Sequence, residues 1–275
     1  MTTAQPMLAP RRGRLFGRTL AWVFLALMAP LSVGCSTSSG PEFAPVRTLQ
    51  SPVYGATGEE FVWAVAPLRN ESGVAQADVQ MVADALVEQI EQVDGLACVP
   101  FNRTLAAMRA LDLRFISTPE EAQALAGALG VDALVIGTVT SWNPYNPPKL
   151  GLALALFVAP GSPMATGALA PTGPEGPPDP VLLQSSPTER GMPGSQWSER
   201  PASVVSEQLD GANHLVQKSV KEFAEGRSPT VSALGWRRYL ASMPLYAEFA
   251  CYRLTERLLA AEERRVAGRA GAEGR

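Results

Sequence analysis

An α/β layer with mostly parallel strand pairing is what this sequence predicts, on three observations. Four short apolar runs rich in β-formers lie at 61–68, 96–101, 132–140 and 149–157. Helical periodicity fills the gaps between the first three, which fits crossover connections between parallel strands. Only eight residues separate the last two, a gap that suits a hairpin.

Taken in order, FVWAVAPL (61–68) reads as a buried strand closed by Pro67 and the turn-forming run Arg69-Asn70-Glu71-Ser72-Gly73. Val79, Val82, Ala83, Leu86, Val87 and Ile90 then recur at helical spacing, with Asp84, Glu88 and Glu91 on the other face. Asp94-Gly95 ends that helix, and LACVPF (96–101) is the second strand. Asn102 is placed to cap a helix through Leu105, Met108 and Leu111. Thr118-Pro119-Glu120-Glu121 has the chemistry of a helix start: Thr as cap, Pro in the first turn, Glu at the third position. That helix ends near Gly127 or Gly130, before the third strand, DALVIGTVT (132–140).

The connection Ser141-Trp142-Asn143-Pro144-Tyr145-Asn146-Pro147-Pro148 holds three prolines, which forbid a ladder and stiffen the hairpin. In the fourth strand, KLGLALALF, Leu150, Leu152, Leu154 and Leu156 fall on one face and Gly151, Ala153 and Ala155 on the other. The second face lacks the polar set that a channel lumen requires, so the strand is expected to close a soluble sheet. Its Leu face would pack on one helix layer, and its small face would let a second layer approach closely.

Residues 159–202 hold ten Pro and six Gly in 44 positions and read as a disordered insert. Beyond it, Leu209, Ala212, Val216, Val220 and Phe223 predict a helix over 204–224. A last helical region carries Trp236, Tyr239, Leu240, Met243, Phe249, Leu254 and Leu258, divided by Pro244.

The amino-terminal end carries Arg11, Arg12, Arg14 and Arg18 with no acidic residue, then an apolar stretch Leu20 to Val33, too short to span a bilayer. It ends in Leu31-Ser32-Val33-Gly34-Cys35 and resembles the cleavage box of a bacterial lipoprotein signal peptide. The resemblance implies that Cys35 becomes the acylated amino terminus, with palmitate among its chains, and that Ser36 permits transfer to the outer membrane. Removing residues 1–34 would take the net charge from −3 to −7. The expected organisation is a signal peptide (1–34), a flexible tether (35–58), an α/β domain (59–158), the insert (159–202), helices completing the domain (203–265) and a disordered tail (266–275).

WAVAPLRNESG (63–73) and LGVDALVIGTVT (129–140) resemble the opening strand and the Gly-x-Asp strand of the amino-terminal domain of the Tol-Pal translocation protein. The same broad group includes lipoproteins that activate peptidoglycan synthases and the curli secretion lipoprotein. The resemblance covers roughly residues 61–157. It implies a small mixed sheet of four strands in the order 2-1-3-4, packed by helices, and a domain that docks protein partners or builds assemblies. It brings no catalytic residues.

Chemistry is sparse. His214 is the sole histidine, with no Cys or His beside it to complete a metal site, and it reads as a surface residue. No nucleophile elbow or phosphate loop is present. Beyond Cys35, the remaining cysteines, Cys98 and Cys251, sit in apolar contexts and read as separate buried thiols. Arg237-Arg238 and Arg264-Arg265 read as solvated helix faces. Trp142 and Tyr145, on the stiff hairpin, are the candidate partner-binding residues, since aromatic anchors dominate protein contacts; the equal alternative is that either ring folds back to cover the sheet edge. The expectation is a non-enzymatic, lipid-anchored adaptor of the cell envelope facing the periplasm, docking an envelope protein, with no cofactor, metal or nucleic acid. The alternative is a subunit of an oligomeric outer-membrane assembly or secretion pore, and an envelope hydrolase stands a distant third.

Overall fold

A mixed sheet carries helices on both faces in the computed structural model, which describes residues 45–51, 53–54, 59–159, 162–166, 201–228 and 233–273. The expected signal peptide, Cys35 and most of the insert lie outside these residues. The strands are β1 (Phe61–Val65), β2 (Arg69–Asn70), β3 (Leu96–Cys98), β4 (Ala133–Asn143), β5 (Lys149–Val158) and β6 (Ser203–Asp210). The helices are α1 (Val79–Glu91), α2 (Phe101–Ala110), α3 (Pro119–Leu129), α4 (Pro163–Thr166), α5 (His214–Ala224), α6 (Arg238–Ala241) and α7 (Met243–Glu273).

The sheet order is β3-β1-β4-β5-β6, with the two-residue β2 beside β4. β1 pairs in parallel with β3 and β4, while β5 is antiparallel to both β4 and β6. The four expected strands take the expected order, and β6 adds a fifth along the path. Residues 203–210 were expected to be helical. Instead they alternate, with Ser203, Val205, Glu207 and Leu209 opposite the Leu face of β5. An inward Glu breaks the apolar alternation by which such a strand is read. It is tolerated because α7 brings Arg257 Nε to 2.9 Å and Arg253 Nη2 to 3.9 Å from its carboxylate.

Two cores result. The larger lies between the Leu face of the sheet and helices α1, α5 and α7; Leu150, Leu152, Leu154 and Leu156 are at most 1% exposed there. Burying each contributes on the order of 2 kcal/mol. Gly137 is required on this face: a Cβ there would sit 2.6 Å from Leu154 Cδ2 and 2.8 Å from Leu68 Cδ2. The smaller core joins Ala64, Ala66 and Leu134 on the opposite face to α2 and α3. This second layer stops short of the middle of β5 and β6. Ala153 and Ala155 stay half-buried and Val204 is 60% exposed, so the small face of β5 is not closely covered as expected.

Local signals explain most boundaries. Asp78 caps α1 by accepting from Met81 N–H at 3.0 Å. Thr118 and Glu121 form a reciprocal capping box on α3, with Pro119 at its start and Gly130 in the left-handed conformation at its end. At α2 the expected cap is displaced: the helix starts at Phe101 behind Pro100, so Asn102 lies inside it. Pro244 falls in the first turn of α7, where a missing N–H costs nothing. Among the described residues no helix is long and apolar enough to cross a membrane.

Three boundaries of the expected organisation change for one reason. Leu49, Val53 and Tyr54 of the expected tether are at most 6% exposed, Met164 of the expected insert is fully buried, and Val266 of the expected tail is 1% exposed. Helix α7 accordingly runs to Glu273. These segments meet at Glu262, itself 0% exposed. Its carboxylate accepts hydrogen bonds from the Tyr54 hydroxyl at 3.1 Å, from Arg265 Nη2 at 2.7 Å and from the Ser203 hydroxyl. Arg265 also donates to the Met164 carbonyl at 3.2 Å. Arg265 is therefore a partner of a buried acid and not part of a solvated face. Burial, with Glu262 alongside, pushes the Tyr54 hydroxyl far above the usual tyrosine range.

Candidate docking face

The parallel strands β1, β3 and β4 end on the same side of the sheet, and the β4–β5 hairpin turns there too. The ladder extends further into that hairpin than its prolines suggest. Trp142 pairs with Leu150 and Asn143 with Lys149, beyond a bulge between Val139 and Ser141. The bulge decides where Trp142 goes. One extra residue reverses the alternation, so Ser141 lies opposite Gly151 and Trp142 opposite Leu150, on the Leu face. Gly151 makes the bulge possible, since a Cβ there would lie 2.5 Å from Thr140 Oγ1. Trp142 is thus partly buried against the larger core.

Tyr145 takes the opposite course and is 79% exposed at the tip. Its N–H donates to Asn143 Oδ1 at 3.1 Å, which fixes the turn around it. The base is braced from β6: Gly211 N–H donates to the Pro148 carbonyl at 2.8 Å, and Lys149 Nζ lies 2.7 Å from Asp210. The hydrogen bond from Lys149 holds the Asp210 carboxyl below its usual range. From α5, Gln217 Nε2 donates to the Gly211 carbonyl at 2.9 Å, so the brace reaches a third element. Of the two aromatic candidates, one anchors the hairpin and the other is displayed by it.

A groove of about 330 Å³ opens at the same end, between the start of α1 and helix α2. Its apolar wall includes Leu68, Phe101, Leu105, Met108 and Leu113, and Arg109 and Arg114 line it with no acidic side chain. Phe115 stands on its edge, 52% exposed, with the Arg69 guanidinium 6.0 Å from the ring centroid. Arg69 Nη2 also donates to the Ile116 carbonyl at 2.8 Å and to Ser117 Oγ at 3.0 Å, tying down the α2–α3 loop. Sequence reading missed these residues. The available signal was Arg109 in the last turn of one helix, followed by Arg114 and Phe115 in the short connection to the next.

The remaining sequence candidates do not converge. His214 is exposed at the first position of α5. Cys98 and Cys251 are both free and buried. Burial pushes the Cys98 thiol up to about 12 and raises that of Cys251 further, while Cys251 Sγ donates to the Val82 carbonyl at 3.5 Å. Among the described residues there is no group of three His, Cys, Asp or Glu able to hold a metal ion.

No protein-family model and no curated protein matches the sequence. Among solved structures, part of the chain is similar to the LpoB C-terminal domain from Salmonella enterica, at 13% identity and a TM-score of 0.32, over 38% of this chain and 76% of that one. Lipoprotein GNA1162 from Neisseria meningitidis is similar at 18% identity and a TM-score of 0.31, over 37% and 74%. The hypothetical protein CT253 from Chlamydia trachomatis is similar at 8% identity and a TM-score of 0.35, over 74% and 98%. At TM-scores below 0.5 these likenesses say nothing of what this chain binds.

Proposed function

We propose that the chain is a non-enzymatic adaptor of the bacterial cell envelope, tethered through acylated Cys35 and docking a periplasmic protein through the hairpin end of its sheet. The observation that carries this reading is Tyr145, held almost fully exposed on a tip braced by β6 and α5. A tyrosine with two side-chain torsions, carried on a braced backbone, loses little conformational freedom on binding, which is what an interface anchor needs. The lipoprotein-like segment ending at Cys35, and the resemblance of 63–73 and 129–140 to the Tol-Pal domain, support the envelope setting.

A photo-crosslinker placed at position 145 of the full chain in its own cells tests the reading, with Glu91, exposed at the far end of α1, as the control position. A protein captured at 145 and not at 91, and lost from the native complex on Tyr145→Ala, is the expected outcome. Equal capture at both positions overturns it. A large ring on size-exclusion of the detergent-solubilised protein would favour the oligomeric assembly instead.

A further inference from the structure

The groove beside Phe115 has the attributes of a peptide-binding crevice. It lies outside the carboxyl ends of β1 and β3, where the chain leaves one face of the sheet for the other, a place at which α/β folds leave room for ligands. Its wall is apolar, its charged lining is Arg109 and Arg114 alone, and Arg69 stands behind Phe115. The chain as a whole is acidic, with 26 Asp and Glu against 23 Lys and Arg, so this positive rim is a local departure.

We infer that the groove receives an apolar segment of a partner protein flanked by carboxylates. Two or three apolar side chains fill a volume of this size, displacing water from Leu105, Leu113 and Phe115. Carboxylates on either side meet Arg109 and Arg114, whose planar guanidinium groups pair them bidentately. Charge complementarity selects this occupant over a basic or neutral segment. The inference deepens the adaptor reading by naming the chemistry of the partner, and its test does not depend on Tyr145.

The probe is a fluorescein-labelled dodecapeptide alternating Leu or Phe with Asp and Glu, titrated with the full chain and followed by polarisation. The control peptide carries Lys at every acidic position. The acidic probe is expected to bind with a Kd of roughly 10–100 µM, in the range of small transient interfaces. The charge reversals Arg109→Glu and Arg114→Glu together are expected to weaken it about tenfold or more, equivalent to about 1.4 kcal/mol. Both arginines are exposed, so the fold is retained. Phe115→Ser should weaken binding of the probe without changing the circular dichroism spectrum. Tyr145→Ala should leave probe affinity unchanged, which separates failure of the groove from failure of the hairpin. Equal binding of both peptides, or no loss in the charge-reversed variant, overturns the inference. Binding that emerges only when 167–200 is deleted overturns it in favour of the chain's own segment. A change in oligomeric mass on Phe115→Ser overturns it in favour of a second copy.

Discussion

Replacing Glu262 by alanine removes a buried acid that joins the segment at Tyr54 and strand β6 to α7. The carboxylate is 0% exposed and accepts from Arg265 through Nη2 at 2.7 Å and Nε at 3.0 Å, as well as from Tyr54 and Ser203. Alanine leaves the Arg265 guanidinium, whose side chain is 12% exposed, without its counter-charge, and removes the acceptor of the buried Ser203 hydroxyl. Truncating one partner of a buried pair costs about 3–5 kcal/mol, because the surviving charge stays desolvated. With a urea slope of about 2–3 kcal/mol/M, the unfolding midpoint should fall by about 1–2.5 M. Fluorescence of Trp63, fully buried with the Tyr54 ring 5.5 Å away, supplies the readout. The double variant Glu262→Leu, Arg265→Met should recover most of the loss, since apolar replacement of a buried pair is often neutral. A midpoint drop below about 0.3 M for Glu262→Ala, or a double variant no better than the single, would refute the buried-pair account.

Other expectations follow from single environments. Cys98 and Cys251 should resist a thiol reagent at pH 8 in the folded chain and react fully in urea, since both are buried and their thiols titrate far above that pH. Burial, then the nearby Glu88, raises the Glu248 carboxyl above its usual range. A raised acid favours the folded state below its unfolded pKa, and this contribution is lost as pH rises through the folded one. Glu248→Gln should therefore raise the unfolding midpoint at pH 7 and change it little at pH 4. Gly137→Val should cost about 1–3 kcal/mol by overpacking against Leu68 and Leu154, read as a lowered urea midpoint with the far-ultraviolet spectrum retained.

Much of the fold was legible because its signals are local. The Thr118/Glu121 box, the helical stripe from Val79 to Ile90 and the Leu alternation of β5 each depend on residues within a turn or a strand of one another. The order of the first four strands came from resemblance, and the structure keeps it. Strand β6 was illegible because the reason for its inward Glu207 lies in α7, about fifty residues further along the chain at Arg253 and Arg257. The tether and tail were misjudged on the same ground: Tyr54 and Val266 gain their value only where the chain's two ends meet. At the site, proline content marked the hairpin correctly but could not reveal the bulge, whose one-residue shift sends Trp142 inward and leaves Tyr145 displayed. The groove combines the segment after β1, the start of α1, helix α2 and the loop that follows it, and no linear pattern unites them.

Tyr54 and Glu262 stand 208 positions apart, and the contacts of Ser203 and Met164 with the last helix close over 59 and 101 positions. Such long-range contacts cannot form until α7 has been synthesised, so the packing of this core waits for that helix. Until then the Leu face of β5 lacks the part of its cover that α7 supplies through Tyr246, Phe249, Leu254 and Leu258, and a chain cut short before Met243 never acquires it. A truncation before Met243 should therefore leave that face uncovered and yield a protease-sensitive product, read by limited proteolysis.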